Sequence, residues 1–183
     1  MAIQIDITRL SGNCRIRRLT QADAEEILAL CLGNPLYYRY CPPPPTRESV
    51  IDDMTALPPG KTPEDKYYLG YFSKNRLIAV IDLISGYPKA EIAFIGLFMM
   101  SEDFRGQGIG SSIIGELASY LEAEGFSSIR LAVAKGNPQS ESFWRKNHFV
   151  PTGMESVRDL YTAVVMERTL EGGTSSKGHR SNA

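Results

Sequence analysis

The sequence predicts an α/β domain built on a sheet whose central strand is covered by helices on both faces. Three observations carry this. Residues 91–100 form a long, mostly apolar run with no polar face, as a strand buried on both sides requires. The glycine-rich stretch 104–112 follows it, as a turn from strand to helix would. Beyond the turn, Ile109, Ile113, Ile114, Leu117 and Leu121 recur at i, i+4 and i+8, the stripe of a helix packed on a sheet.

The remaining elements read off in order. Residues 14–19 alternate like a first strand, and Thr20 then offers a helix N-cap with Asp23 three positions on. Ile27, Leu28, Leu30 and Cys31 share the face of that helix, which Gly33-Asn34-Pro35 stops. Tyr37, Tyr38, Tyr40 and four consecutive prolines (42–45) predict a stiff aromatic loop. A short helix is expected from about Thr46 to Ala56. Strand periodicity returns at 67–72 and 77–84 about a Lys74-Asn75 turn, and Ser85-Gly86-Tyr87-Pro88 turns the chain into the central strand. Gly96, inside that strand, is the expected place for a bulge or a close backbone approach. Gly125 ends the amphipathic helix. A buried strand at 128–134, a short helix at 139–147 and closing strands at 149–154 and 162–168 complete the expectation. Residues 1–171 read as one domain without repeats, and 172–183, rich in Gly and Ser, as a disordered tail.

Composition narrows the function. The 183 residues are 43% hydrophobic and 22% charged, the balance of a soluble globular domain. Twenty basic against 21 acidic residues leave no basic field for nucleic acid, and weigh against a polycationic partner. No apolar run has membrane-spanning length and the N-terminus has no signal-peptide pattern. Cys14, Cys31 and Cys41 fit no metal spacing and suggest a reducing, cytoplasmic setting. With His148 and His179 the only histidines, no metal site is expected.

The stretch Phe104-Arg105-Gly106-Gln107-Gly108-Ile109-Gly110-Ser111-Ser112 carries the chemistry. Three glycines in five positions turn the backbone tightly and leave N–H groups uncovered. A helix starting there aims unpaired N–H groups and its positive dipole end at one spot, a diphosphate site, with the Arg105 cation beside it. The dinucleotide fingerprint fails, because Ser111 or Ile113 stands where its last glycine belongs. The nucleotide P-loop fails too: Gly60-Lys61-Thr62 has Thr55 at the required glycine, so it reads as a turn.

What remains is Arg-x-x-Gly-x-Gly, formed by Arg105, Gly108 and Gly110 between a strand and a helix. This resembles the coenzyme A signature of the GCN5-related N-acetyltransferase (GNAT) superfamily. The stretch Asn137 to Phe149, about thirty residues on, is similar to that family's second cofactor motif. The resemblance runs from about Leu77 to Met154. It implies a mixed, mostly antiparallel sheet of six to seven strands flanked by about four helices. It also implies an acetyl-CoA-dependent N-acetyltransferase with a primary amine of a small molecule or protein as acceptor. No nucleic acid or membrane partner is implied, and a homodimer is left open. The alternative is a non-catalytic acyl-CoA sensor.

Residue by residue, the resemblance assigns backbone N–H groups from Gly106, Gln107, Gly108, Ile109, Gly110 and Ser111 to the diphosphate. Backbone groups of Phe98, Met99 and Met100 would hold the pantetheine arm as an added strand and polarise the acetyl carbonyl. Asn137 matches a cofactor-contacting Asn, though an Asn-Pro pair also reads as a helix cap. Trp144 stands where the family often has a Tyr able to protonate the thiolate. An indole N–H donates hydrogen bonds but not its proton, so Trp144 reads as pocket wall or as packed core. His148 replaces the family's usual Gly. Glu91 is the first candidate for the base, its alternative being a solvated hairpin residue; Glu141 and Glu102 follow. Cys31 and Cys41 have no His near them in sequence, so direct attack by the amine is preferred to a cysteine relay. The tyrosines near the proline run are expected to wall the acceptor site.

Overall fold

Seven strands form one sheet in the order β1-β2-β3-β4-β5-β7-β6 in a computed structural model that describes residues 3–171. They are β1 (Arg15–Arg18), β2 (Lys66–Ser73), β3 (Arg76–Ser85), β4 (Ile92–Met100), β5 (Ser128–Ala134), β6 (Val150–Val157) and β7 (Thr162–Thr169). Every neighbouring pair is antiparallel except β4 with β5. That parallel pair needs a crossover, supplied by the helix Ile109–Ala123 between them. The expected mixed, mostly antiparallel sheet is what forms.

Helices cover both faces: α1 (Ala24–Leu32), α2 (Pro35–Tyr40), α3 (Arg47–Thr55), α4 (Ile109–Ala123) and α5 (Pro138–Lys146). Ile113, Ile114, Leu117 and Leu121 of α4 and Trp144 of α5 pack with Ile81, Leu83 and Ile95 on one face. Ile27, Leu30 and Cys31 of α1 and Val50 of α3 pack with Val80 and Met99 on the other. Neighbouring β3 residues Val80 and Ile81 thus feed opposite cores, which is why the strands are apolar on both sides.

Two expectations change. The tyrosine segment is not a loop: Gly33-Asn34 ends α1, and Pro35 then opens a new helix at its first position, where its missing N–H costs nothing. Thr20 and Asp23 do form a capping box, but around a 3-10 turn that leads into α1 one turn later. The expected tail, 172–183, lies outside the described residues.

What opens the sheet is in β4. The register passes from Asp82↔Leu97 to Leu83↔Ile95, leaving Gly96 as the extra, bulged residue. An alanine Cβ there would lie 2.7 Å from Asp82 Oδ2, so glycine gives the Asp82 carboxyl its place beside β4. Pairing of β4 with β5 stops at Ile95↔Leu131. Past that point the two strands splay, and the β5-facing edge of residues 96–100 is unpaired.

Candidate active site

Two cavities meet over the splay. One, of about 290 Å³, lies between the end of β4, the glycine turn and α5. The other, of about 220 Å³, lies over the splay itself, between 94–98 of β4, 131–134 of β5 and Tyr161 before β7. Tyr37, Phe98, Ser140 and Trp144 line both, so the two are one continuous cleft.

The glycine turn leaves the start of α4 open. Gly106 and Gly108 hold φ of 72° and 77°, which glycine adopts without penalty, and nothing lies within 4 Å of where their Cβ atoms would be. Gly108 caps α4 with no side-chain hydrogen bond and no acidic residue in the first turn, so the helix presents bare N–H groups to the cavity. Gly110 differs: its Cβ would stand 3.3 Å from Phe143, so its absence lets α4 seat against α5. The charged side chains lining this cavity are Arg105 and Lys146, both cationic. Arg105 is anchored by donating from Nη2 to Gly33 O at 3.1 Å. Ser111 Oγ accepts from Asn147 Nδ2 at 3.1 Å, which ties α4 to the end of α5.

The edge of β4 fixes which backbone groups are free. Ser101 N–H donates to Ile78 O on β3 at 2.8 Å. Alternation along a strand then turns Met99's groups toward β3 as well, and those of Phe98 and Met100 toward the open edge. Met99 is therefore corrected from backbone donor to core residue, its side chain buried on the α1 face. Met100 O is already engaged by Asn34 Nδ2 at 2.9 Å, leaving Phe98 N–H and C=O and Met100 N–H. Asn34, buried and also bonded to Leu30 O, went unnoticed in the sequence because its partner lies 66 residues away.

Trp144 lines both cavities, 7% exposed, and packs edge-on to Phe143, Phe149 and Phe98 with centroids 4.9–6.0 Å away. It packs on the core on one side and faces the cleft on the other. Its indole N–H has no hydrogen-bond partner among the described residues.

Three of the expected cofactor residues lie outside the cleft lining. Asn137 is 1% exposed, and its side chain is spent on α5: Oδ1 accepts from the Gln139 and Ser140 N–H groups and Nδ2 donates to Ser140 Oγ. It is a helix cap. Gln107 is exposed and donates to Asp103 O. The Ile109 side chain packs on the core.

Glu91 is the main correction. It is exposed, just before β4, and only its carbonyl is engaged, by the Ser127 N–H at 2.8 Å. That is the end where β4 and β5 are still paired, about 25 Å of strand from the glycine turn. Strand direction misled: the cleft opens at the other end. Glu141 accepts from Gly136 N–H, and Glu102 borders a separate hollow near α1. Among the described residues no carboxylate lines either half of the cleft.

Of Tyr37, Tyr38 and Tyr40, only Tyr37 lines the cleft among the described residues. Burial pushes its phenol well above the ordinary value, with the Cys41 thiol adding to the rise. Tyr161 across the cavity is also raised by burial and by Cys41. Tyr161 was missed because it sits in a hairpin turn with no motif around it. Among the described residues no group of three His, Cys, Asp or Glu side chains could hold a metal ion, and no helix is long and apolar enough to cross a membrane.

An open sheet splayed beside a bare helix start has known relatives. Residues 33–149 match the Acetyltransferase (GNAT) family. The chain belongs to that family and is an acetyltransferase. No protein of curated function matches it. Among solved structures, an acetyltransferase from Thermus thermophilus superposes with a TM-score of 0.68 at 22% identity, covering 86% of this chain and 97% of that one. An N-acetyltransferase from Thermoplasma acidophilum, in complex with coenzyme A, gives 0.60 at 20% identity, over 85% and 98%. An acetyltransferase from Salmonella typhimurium that modifies the N-terminal serine of ribosomal subunit protein L7/L12 gives 0.67 at 20%, over 88% and 98%. At these identities the likeness is one of fold.

Proposed function

We propose that this chain transfers the acetyl group of acetyl-CoA to a primary amine by direct attack in a ternary complex. The observation that supports it most is the continuity of the cleft: an uncapped helix start, an unpaired strand edge and the splay follow one another in a single groove. The diphosphate would sit on the N–H groups of 106–111, with Arg105 and Lys146 beside it. The pantetheine arm would lie along the open edge, bonding Phe98 and Met100 as an added strand does. The relative from Thermoplasma acidophilum carries coenzyme A on the same fold.

The acetyl carbonyl would then reach the bulge at Gly96, next to Trp144. A neutral amine entering over the splay attacks the carbonyl carbon, the C–S bond breaks, and the thiolate leaves. A thiol of ordinary pKa is a competent leaving group, so the Trp144 N–H need only hydrogen-bond the sulfur. With no carboxylate lining the cleft, the amine proton leaves through water. The test is acetyl-CoA with a broad amine panel, reading free thiol, alongside calorimetry of acetyl-CoA binding. Amine-dependent thiol release is expected. Failure of acetyl-CoA to bind would overturn the reading, and binding without turnover on any amine would favour a sensor.

A further inference from the structure

The half of the cleft over the splay is electrically lopsided. Its lining is apolar or neutral apart from Arg158. Arg158 stands where β6 turns into β7, its N–H donating to Tyr161 O at 2.8 Å. Its guanidinium has no carboxylate partner among the described residues, whereas Arg17 and Arg130 each hold one within 3.0 Å. It is near enough to the Tyr161 phenol to favour its ionised form, so the cation stands beside that wall of the cavity.

The floor opposite is backed by a carboxyl. Gly96 lines the cavity, and behind it Asp82 Oδ2 stands where a side chain would otherwise intervene. Asp82 is paired with Lys66 at 2.8 Å, but the Asp53 carboxylate acts on the same two groups. Burial pushes both carboxyls up while Lys66 holds them down, and the Asp82 carboxyl puts an acceptor oxygen directly behind the bulge where the carbonyl would lie. A cavity with a carboxyl acceptor behind its reacting end and a cation at its rim complements a molecule with an amine at one end and an anion at the other.

We infer that the acceptor is a small amine that also carries a carboxylate, with Arg158 gripping the carboxylate in charge-assisted hydrogen bonds. This rests on the acetyltransferase reading above and narrows its acceptor. Arg158 is a specificity residue: it touches the substrate away from the reacting atoms. A free amino acid fits; the amino terminus of a long peptide does not, since its carboxylate is remote.

The test pairs L-methionine with 3-(methylthio)propylamine and L-leucine with isoamylamine, so that each pair differs by the carboxylate. The wild-type kcat/KM should favour the amino acid within each pair, and Arg158→Met should lower that preference by about 10- to 100-fold, the worth of a hydrogen bond to a charged group. Arg158→Lys should restore part of it. Binding of the N-acetyl products, read by thermal shift, gives the same comparison without turnover. Equal use and equal product binding within pairs, or a preference untouched in Arg158→Met, overturns the inference. So does turnover confined to neutral amines or peptide amino termini, which leaves the acetyltransferase reading standing. If acetyl-CoA does not bind, both fall.

Discussion

At the scale of single residues, the glycines of the turn serve different ends. Gly108 holds a φ of 77° over open space, so Gly108→Val forces a β-branched residue into the left-handed region and roofs the anion site. Coenzyme A affinity, by calorimetry, should fall at least tenfold while the far-ultraviolet spectrum stays native, the left-handed strain being about 1–2 kcal/mol. Unchanged affinity in a folded variant would remove the turn from the cofactor site. Trp144 has no proton to give, yet its packing on Phe143 and Phe149 shapes the cleft. Trp144→Phe should therefore cost less in turnover than the roughly hundredfold expected when a positioned acid is lost. A larger loss with cofactor binding intact would show that the indole N–H is essential. The turn and Trp144 were legible in the sequence. Asn137 was legible as a cap or a cofactor contact, and only its hydrogen bonds decide for the cap.

At the scale of elements, local rules mostly sufficed, and where they were broken stability is open to change. The end of α5 is a Schellman motif: Phe149 N–H donates to Trp144 O and His148 N–H to Arg145 O, each at 3.0 Å. The position that favours glycine is occupied by His148 at φ 69°. His148→Gly should raise stability by about 1 kcal/mol, or about 2–4 °C in Tm, because the left-handed strain disappears. A drop in Tm would show that the imidazole makes a compensating contact. Near the start of the chain, Arg17 grips Asp23 with both nitrogens at 2.8–2.9 Å, joining β1 to the turn before α1. That bond, helped by the Thr20 N–H, holds the Asp23 carboxyl down to about 2. A carboxyl lower in the folded than in the unfolded chain stabilises the fold above its unfolded value. The gain is then lost as pH falls from about 4 to 2. Asp23→Asn should cost about 1 kcal/mol at pH 7 after allowance for solvent screening, and should flatten the stability curve over that interval. Urea melts at pH 7 and pH 3 would check both. Helix α2 was the element missed, because Tyr-rich sequence beside prolines gives no helical period in six residues.

At the scale of the whole molecule, where the cleft opens decides what can act. Glu91 sits at the paired end of β4 and β5, so Glu91→Gln should leave turnover and its pH dependence at wild-type values with a true acceptor. A fall of a hundredfold would return Glu91 to the site as base. The sequence alone determined most of the strand and helix boundaries, the bulge at Gly96, the glycine turn that opens a helix, and the family. All of these are written in local signals: backbone freedom at glycine, side-chain period, and two motifs at a set separation. Tertiary structure alone decided which end of the central strand opens, that the Met99 backbone faces β3, which of the three early tyrosines lines the cleft, and that Asn34, Arg158 and Tyr161 line or brace it. Those facts depend on pairing between residues tens of positions apart, such as Asn34 with Met100, and on where a parallel pair of strands stops. No local period encodes either, because each is settled by the packing of the whole sheet against its two layers of helices.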